Sequence, residues 1–306
     1  MKYFFLSLTI FLSTQAYSSV EQPEIYHGKD GDFKSFPYSA AFIYETKDGT
    51  KRDVVCTGIF LSSNWVLTAA HCINNFRSYI DQYGVKILVL NGGDGNIKKP
   101  LFTYETLEFH NNPKYSDAHD PDTEFVSHDY GLVKIKNDHH QCFKSNAHFK
   151  ACFRRLFSYN KIKIPSLEEA RSYLTVGTNL TTVGFGLDET DKISWHLKHT
   201  ELPTIAIDQA RNIYRTYLEG RGFPKEEVER YLEIEVHEKF IFTNSGLTST
   251  CYGDSGGPLI FKKKKKVFLF GVASWGTGGE ASNCGGMSSF SSLLFDDGWI
   301  NSIMNR

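Results

Sequence analysis

The chain has 306 residues, of which 41% are hydrophobic and 14% aromatic, so it can bury a sizeable core and falls outside the disordered class. Its 34 basic and 35 acidic residues leave a net charge of −1, a balance that gives no indication of a nucleic-acid or membrane partner. The length allows one large all-β domain or two average domains.

The first residues have the pattern of a secretory signal peptide. Lys2 supplies a short positive region, residues 3–11 are mostly apolar, and residues 16–18 fit the small-x-small rule for cleavage. The alternative is a buried N-terminal strand or helix. A membrane-spanning helix is excluded, because the apolar run is too short to cross a bilayer. We expect a signal peptide over 1–18, no membrane span, and a protein that is secreted or periplasmic.

Short strand-like runs dominate the rest of the chain, separated by turns rich in Gly, Asn, Asp and Lys. Many short strands with this punctuation are typical of an all-β barrel or sandwich. The runs that we assign to strands cover residues 39–45, 56–62, 65–70, 85–90, 130–135, 180–186 and 267–276.

Three other segments have a recognisable pattern. A helical insert is predicted over 208–236, broken at 222–224 by Gly and Pro, and a C-terminal helix is predicted over 296–306. The insert is an exosite or a surface embellishment. The five lysines at 262–266 lie between two strand runs and predict a solvated hairpin tip, with a docking site for an anionic surface as the alternative.

Two residues beside strand runs in the first half carry suitable chemistry. His71 ends the run WVLTAAHC, and an imidazole can accept a proton near neutral pH. A lone histidine is more often structural, and the chain has eleven, but Cys72 and a small-residue turn hold this one at a strand end. Asp129 directly precedes the apolar run YGLVKI, whereas Asp120 and Asp122 have no strand after them.

The third candidate lies in CYGDSGGPLI, residues 251–260. Two glycines and a proline mark a tight loop between a cysteine and an apolar strand. Asp254 and Ser255 carry the functional groups inside it. A serine nucleophile needs a base and an orienting acid from elsewhere in the chain, and His71 and Asp129 are the candidates.

The blocks LTAAHC, HDYGLVKI, CYGDSGGP and SWG, in this order, resemble those of the chymotrypsin/trypsin family of serine endopeptidases over about residues 25–306. The resemblance implies an all-β fold of two packed six-stranded antiparallel β-barrels, roughly 25–145 and 160–306. It also implies an active-site cleft between the barrels and a protein or peptide as the substrate. We expect a monomer.

The resemblance assigns a role to each candidate. Ser255 attacks the scissile carbonyl, His71 takes its proton and passes it to the leaving amine, and Asp129 holds the imidazole tautomer. The backbone N–H groups of Gly253 and Ser255 form the oxyanion hole. No cofactor and no metal are needed. A catalytically silent binding module is the alternative function.

The specificity pocket departs from the trypsin pattern. Trypsin has an aspartate six residues before the serine, whereas this chain has Ser249, as chymotrypsin does. Without that carboxylate a Lys or Arg side chain would be desolvated with no counter-ion, so we expect cleavage after apolar or aromatic residues. Ser274, Trp275 and Gly276 complete the predicted substrate-binding set, and Glu280 is an alternative source of charge from the side wall.

Six cysteines in an exported chain indicate disulfides, and counting alone allows 15 pairings. The chain has no CxxC pair that would favour a zinc site. The family resemblance implies two of the pairs and leaves the third by elimination: Cys56–Cys72, Cys251–Cys284 and Cys142–Cys152.

The resemblance also implies activation by cleavage. Ile25 would become the new N-terminus, and its ammonium would pair with buried Asp254. Residues 19–24 would then be a short propeptide. Glu24, rather than Lys or Arg, precedes the cleavage point, so activation by a trypsin-like enzyme is not supported.

Overall fold

The computed structural model describes residues 25–116, 126–137, 139–188, 190, 192–279 and 284–306. Strand β1 (Lys29–Asp30) belongs to a sheet of the second half, and the next six strands close a barrel in the order β2-β3-β4-β7-β6-β5. The barrel strands are β2 (Ser39–Glu45), β3 (Arg52–Phe60), β4 (Trp65–Thr68), β5 (Lys86–Asn91), β6 (Phe102–Asn111) and β7 (Gly131–Ile135).

The barrel strands β2, β4, β5 and β7 are buried on both faces over most of their length, which explains their nearly continuous apolar sequences, whereas β6 starts with alternating buried and exposed residues. In β2, Ala41 and Ile43 join one apolar cluster, while Ala40 and Phe42 join another. Successive side chains of a strand point to opposite faces, so the two clusters lie on the two sides of the barrel wall. The first cluster also contains Val183 from the second half, and it therefore joins the two halves of the chain.

The second half forms an eight-stranded sheet rather than the expected six strands. Two of the eight, β1 and β8, are only two residues long, and the six longer strands correspond to the expectation. An antiparallel bridge between Thr204 and Thr243 links the ends of the path β10-β9-β12-β13-β14-β11. The strands are β8 (Ile162–Lys163), β9 (Asn179–Gly184), β10 (Lys198–Pro203), β11 (Phe240–Thr243), β12 (Pro258–Lys263), β13 (Lys266–Gly278) and β14 (Gly285–Ser292). The all-β class is confirmed.

The predicted helices are present, and others were missed. The insert forms two helices separated by Gly222 and Pro224, and the C-terminal helix is short. The helices are α1 (Ala70–Tyr83), α2 (Asn146–Tyr159), α3 (Leu167–Ala170), α4 (Ile207–Gly220), α5 (Lys225–Glu235) and α6 (Trp299–Met304). The strand predicted over 65–70 ends at Thr68, because Ala70 already begins α1.

The lysine run forms the predicted hairpin tip between β12 and β13. Lys264 and Lys265 make the turn, and Lys263 pairs with Lys266 across it. All five lysines are exposed, which agrees with a solvated tip. Within the described residues, no helix has the length and apolarity needed to cross a membrane.

Candidate active site

His71 and Asp129 are held together by two contacts. The backbone N–H of His71 donates to Asp129 Oδ1 at 2.9 Å, and the ring nitrogen Nδ1 lies 2.7 Å from Oδ2. His71 stands in the first turn of α1, not at the end of a strand as we predicted, because the chain turns into the helix directly after Ala69. Asp129 lies two residues before β7. Because one carboxylate binds both the backbone and the ring of His71, the orientation of the imidazole is fixed.

A third group holds the carboxylate of Asp129. The Ser274 hydroxyl donates to Oδ2 at 2.5 Å. Complete burial by itself would raise the pKa of Asp129, but the His71 charge and the hydrogen bonds from His71 and Ser274 lower it below its usual value. The acid is therefore ionised at neutral pH. Sequence reasoning assigned Ser274 only to substrate binding and missed this contact, for which no local pattern exists.

The loop that carries Ser255 is fastened to the first barrel. Thr57 of β3 donates its backbone N–H to the Ser255 carbonyl at 2.9 Å and its hydroxyl to the Gly253 carbonyl at 2.9 Å. In the part of the chain that the structure describes, the backbone N–H groups of Gly253 and Ser255 donate no hydrogen bond. Both predicted oxyanion donors thus keep their hydrogen-bonding capacity.

The glycine after Ser255 is required by close approach as well as by backbone conformation. A Cβ on Gly256 would lie 2.1 Å from Thr68 Oγ1 and 2.5 Å from the Thr57 carbonyl, and φ is +80°. Gly49 has a similar φ of +71° but nothing within 4 Å of the added atom. The two positions therefore separate the cost of contact from the cost of conformation.

Gly256→Ala should lower the free energy of unfolding by about 3 kcal/mol or more, since the added methyl displaces the loop from β3 and β4. Gly49→Ala should cost only about 1–2 kcal/mol, the penalty of the left-handed conformation alone. Urea unfolding of both variants measures the difference. Equal losses in the two variants would show that the close contact at Gly256 has no energetic weight.

His71, Gly253 and Ser255 meet in one cleft. They line a cavity of about 640 Å³ together with Trp275 and Gly276. Within the described chain, no hydrogen bond joins the Ser255 hydroxyl to the imidazole. Nucleophile and base are often further apart before substrate binds, so a cleft of this kind is compatible with a contact that forms in the substrate complex.

At the predicted base of the pocket stands a serine, Ser249, and not an acidic residue. This residue is fully buried, its hydroxyl donates to the Thr250 carbonyl at 2.9 Å, and it accepts the backbone N–H of Gly285 at 2.7 Å. Gly276 lies on β13, where a Cβ would come within 2.8 Å of the Met287 carbonyl on β14. The strand pairing therefore requires this glycine, independently of the width of the pocket. Glu280 lies outside the described residues.

The helical insert forms a wall of the cleft, which the sequence alone did not indicate. A second cavity of about 640 Å³ adjoins the first and is lined by His71, Asp129 and Trp275 on one side and by α4 and α5 on the other. The ring of Tyr214 lies 4.9 Å from that of Trp275. The aromatic residues that the insert contributes are Tyr214, Tyr217, Phe223 and Tyr231.

Asp254 is buried, and no cationic side chain of the described residues contacts its carboxylate. Its oxygens accept the backbone N–H groups of Gly186 and Cys251, at 2.8 and 2.9 Å. Burial raises the pKa of Asp254 to about 7, although the two hydrogen bonds oppose the shift. Ile25 is also fully buried, and the carbonyl of the next residue, Tyr26, accepts the backbone N–H of Ser249.

The six cysteines form three disulfides in the predicted pairs, Cys56–Cys72, Cys142–Cys152 and Cys251–Cys284. One group of atoms has the spacing of a metal site, since the sulfurs of Cys56 and Cys72 and a nitrogen of His71 lie within 4.8 Å of one another. Both sulfurs are used in one disulfide and cannot act as thiolate ligands, so this group does not fit a metal. The competing acids Asp120 and Asp122 lie outside the described residues.

Several known proteins are similar to this chain over most of its length. The family profile described as Trypsin matches residues 25–294. Limulus clotting factor C from Carcinoscorpius rotundicauda is 24% identical over 302 residues, which cover 92% of this chain and 25% of that protein. Tissue-type plasminogen activator from Sus scrofa is 24% identical over 255 residues, which cover 82% of this chain and 40% of that protein. The chain thus spans less than half the length of these relatives.

A solved structure has the same fold. The protein described as HL collagenase superposes with a TM-score of 0.60 at 22% sequence identity, and the match covers 92% of this chain and 99% of that one.

Proposed function

The chain belongs to the trypsin family, and from this premise we propose that it is a secreted serine endopeptidase acting through His71, Asp129 and Ser255. The single observation that carries the proposal is the fixed His71–Asp129 pair in a cleft that Ser255 also lines. Because all three side chains are present, the alternative of a catalytically silent binding module has no observation in its favour.

The proposed reaction proceeds in two stages. Ser255 Oγ attacks the scissile carbonyl while the imidazole of His71 accepts its proton, and the proton is then given to the leaving amine. In the second stage water attacks the acyl-enzyme, His71 accepts the proton of the water, and the proton is then given to Ser255 Oγ as the acyl product leaves. Asp129, ionised and bound to Nδ1, stabilises the imidazolium that forms in both stages.

The charge of the tetrahedral intermediate falls on the carbonyl oxygen. The backbone N–H groups of Gly253 and Ser255 are the proposed donors, and neither is used elsewhere in the described chain. Preorganised donors of this kind lower the barrier because they need no reorganisation when the charge develops. The anchoring of both residues by Thr57 supports that preorganisation.

Cleavage after apolar or aromatic residues is the proposed preference. The Ser249 hydroxyl already has a donor and an acceptor in the backbone, so it offers a guanidinium little in exchange for its hydration. An aromatic side chain gains about 25 cal/mol per Å² on leaving water. We therefore expect a faster reaction with a peptide that has Phe rather than Arg before the scissile bond.

The test uses two matched peptides that differ only in Phe or Arg at that position, together with a peptide library, and the purified protein beginning at Ile25. Cleavage with a higher kcat/KM for Phe supports both the activity and the pocket. Faster cleavage of the Arg peptide, abolished in Glu280→Gln, would place the charge on the side wall and contradict the proposed preference. Folded protein that cleaves no library peptide would contradict the endopeptidase itself.

Export is the proposed location, because three disulfides are typical of proteins that fold in an oxidising compartment. The predicted signal peptide, residues 1–18, and the propeptide, residues 19–24, lie outside the described residues. N-terminal sequencing of the exported protein would detect either boundary. A monomeric state and the lack of a nucleic-acid partner stay predictions.

A further inference from the structure

Helix α2 exposes the face that a helix normally buries. Of the large hydrophobic residues that are exposed in the described chain, five lie on α2 or just before it: Phe143, Phe149, Phe153, Leu156 and Phe157, between 49% and 75% exposed. Positions 149, 153, 156 and 157 have the spacing of one helical face. An exposed apolar patch of this kind marks an interaction site.

The phenylalanines form one continuous row. Phe143, Phe149, Phe153 and Phe157 follow each other with ring centroids 6.5, 6.5 and 4.4 Å apart. The Cys142–Cys152 disulfide ties the segment before α2 to the middle of the helix, which keeps Phe143 beside this row. We call these four rings and Leu156 the phenylalanine face.

The opposite face of α2 packs on the barrel, where Ala151, Cys152 and Tyr159 contact the apolar cluster that contains Phe60. Arg155 and Ser158 are the helix's buried residues. The guanidinium of Arg155 lies about 5 Å from the ring centroids of Phe60, Phe102 and Tyr104 and donates to the Tyr104 hydroxyl. This buried arginine fixes the rotation of the helix about its axis. The phenylalanine face is therefore held on the solvent side of the helix.

The charges around the phenylalanine face indicate what kind of partner binds there. Residues 139–167 contain six Lys or Arg and no Asp or Glu. Lys144, Lys150, Arg154 and Lys161 are exposed around the phenylalanine face. The balanced charge of the whole chain, from which we expected no membrane partner, averages out this local excess. Phenylalanine and leucine on one face with Lys and Arg beside them are the composition of helices that lie in a membrane interface.

We propose that α2 docks the protein on the surface of an anionic lipid membrane. The phenylalanine face enters the boundary between headgroups and acyl chains, and the four exposed basic residues contact the anionic headgroups. A second copy of the chain fits less well, because two such faces would bring like charges together with no acid in the segment to offset them. None of the α2 residues lines the catalytic cleft, so the docked protein keeps its cleft available.

The experiment is sedimentation of the full exported chain with vesicles of equimolar phosphatidylcholine and phosphatidylserine, and with vesicles of phosphatidylcholine alone. We expect binding to the anionic vesicles that weakens as salt is added. Phe149→Ser with Phe153→Ser should lower the partition coefficient at least about tenfold, and so should Lys150→Glu with Arg154→Glu. The matched control is Lys264→Glu with Lys265→Glu at the hairpin tip, which should bind as wild type does.

Folding is checked by circular dichroism and by cleavage of a soluble peptide, which none of these variants should change. Phe153→Trp provides a second readout that keeps an aromatic side chain on the phenylalanine face. The tryptophan emission should shift to shorter wavelength with the anionic vesicles and not with phosphatidylcholine vesicles. Unchanged binding in the Phe149/Phe153 variant would overturn the proposal, as would loss of binding only in the hairpin-tip variant. A dimer in sedimentation velocity that this Phe variant dissociates, with no vesicle binding by wild type, would assign the face to a second copy instead.

Discussion

Ser255→Ala and His71→Ala should each lower kcat by about 10⁴–10⁶-fold, and Asp129→Asn by about 10⁴-fold. The first two changes remove the proposed nucleophile and its base. The third keeps the shape of the side chain but replaces the acceptor of the Nδ1 proton, so the imidazole is held in the wrong tautomer. The effects should not add, because the three groups act as one unit.

The measurement is kcat on the faster of the two matched peptides, for protein that begins at Ile25. Ser63→Ala is the control, since within the described residues its hydroxyl hydrogen-bonds only to the neighbouring Asn64 side chain in an exposed turn. It should have wild-type activity. Near-full activity in Ser255→Ala would refute the mechanism, and a double variant Ser255→Ala/His71→Ala that loses the product of the two single factors would contradict their action as a unit.

The second large effect concerns Asp254 before and after cleavage at Ile25. In the uncleaved chain burial raises its pKa to about 7, well above its value of about 3.9 in an unfolded chain. The native state then binds more protons than the unfolded state between these values, so this residue's contribution to stability falls as pH rises. From pH 5 to pH 8 the loss is about 2–3 kcal/mol.

Asp254→Asn isolates this contribution. The difference in the free energy of unfolding between wild type and variant is measured at two pH values, and any cost of the amide that does not depend on pH cancels between them. Urea unfolding of the uncleaved chain, carrying Ser255→Ala to prevent self-cleavage, should show wild type losing stability relative to Asp254→Asn between pH 5 and pH 8. After cleavage the ammonium of Ile25 should pair with the carboxylate. The pH-dependent loss should then disappear, and Asp254→Asn should cost about 3–5 kcal/mol.

A cleaved protein that keeps the pH-dependent loss would show that Ile25 does not reach Asp254. An active enzyme whose N-terminus lies well upstream of residue 25 would exclude this mode of activation altogether. Asp254→Asn that matures to full activity would have the same meaning.

What could be predicted from the sequence depends on whether the cause is local. Strand β2 was assigned over 39–45, the bounds that it has in the structure, because its apolar run is buried on both faces and ends at a turn. The break in the insert followed from Gly222 and Pro224, whose backbone preferences act wherever they stand. The three cysteine pairs followed from the resemblance and not from any local pattern.

The missed features arise from contacts between distant parts of the chain. Ser274 reaches Asp129, and Tyr214 packs on Trp275, but neither pair has a local signature. The helical spacing in α2 was present in the sequence and was missed, and the large apolar residues that carry it, at 149, 153, 156 and 157, are exposed rather than part of the core. In α1 the helix starts two residues after β4, so the apolar end of the strand masks the start of the helix.

The central claim, that Ser255 is a nucleophile activated by His71, is tested most directly by mass mapping after reaction with a fluorophosphonate. We predict a single label on the peptide that contains Ser255 in protein beginning at Ile25, and a much slower reaction in His71→Ala under the same conditions. Folded, cleaved protein that takes up no label, or that is labelled at another serine, would contradict the account.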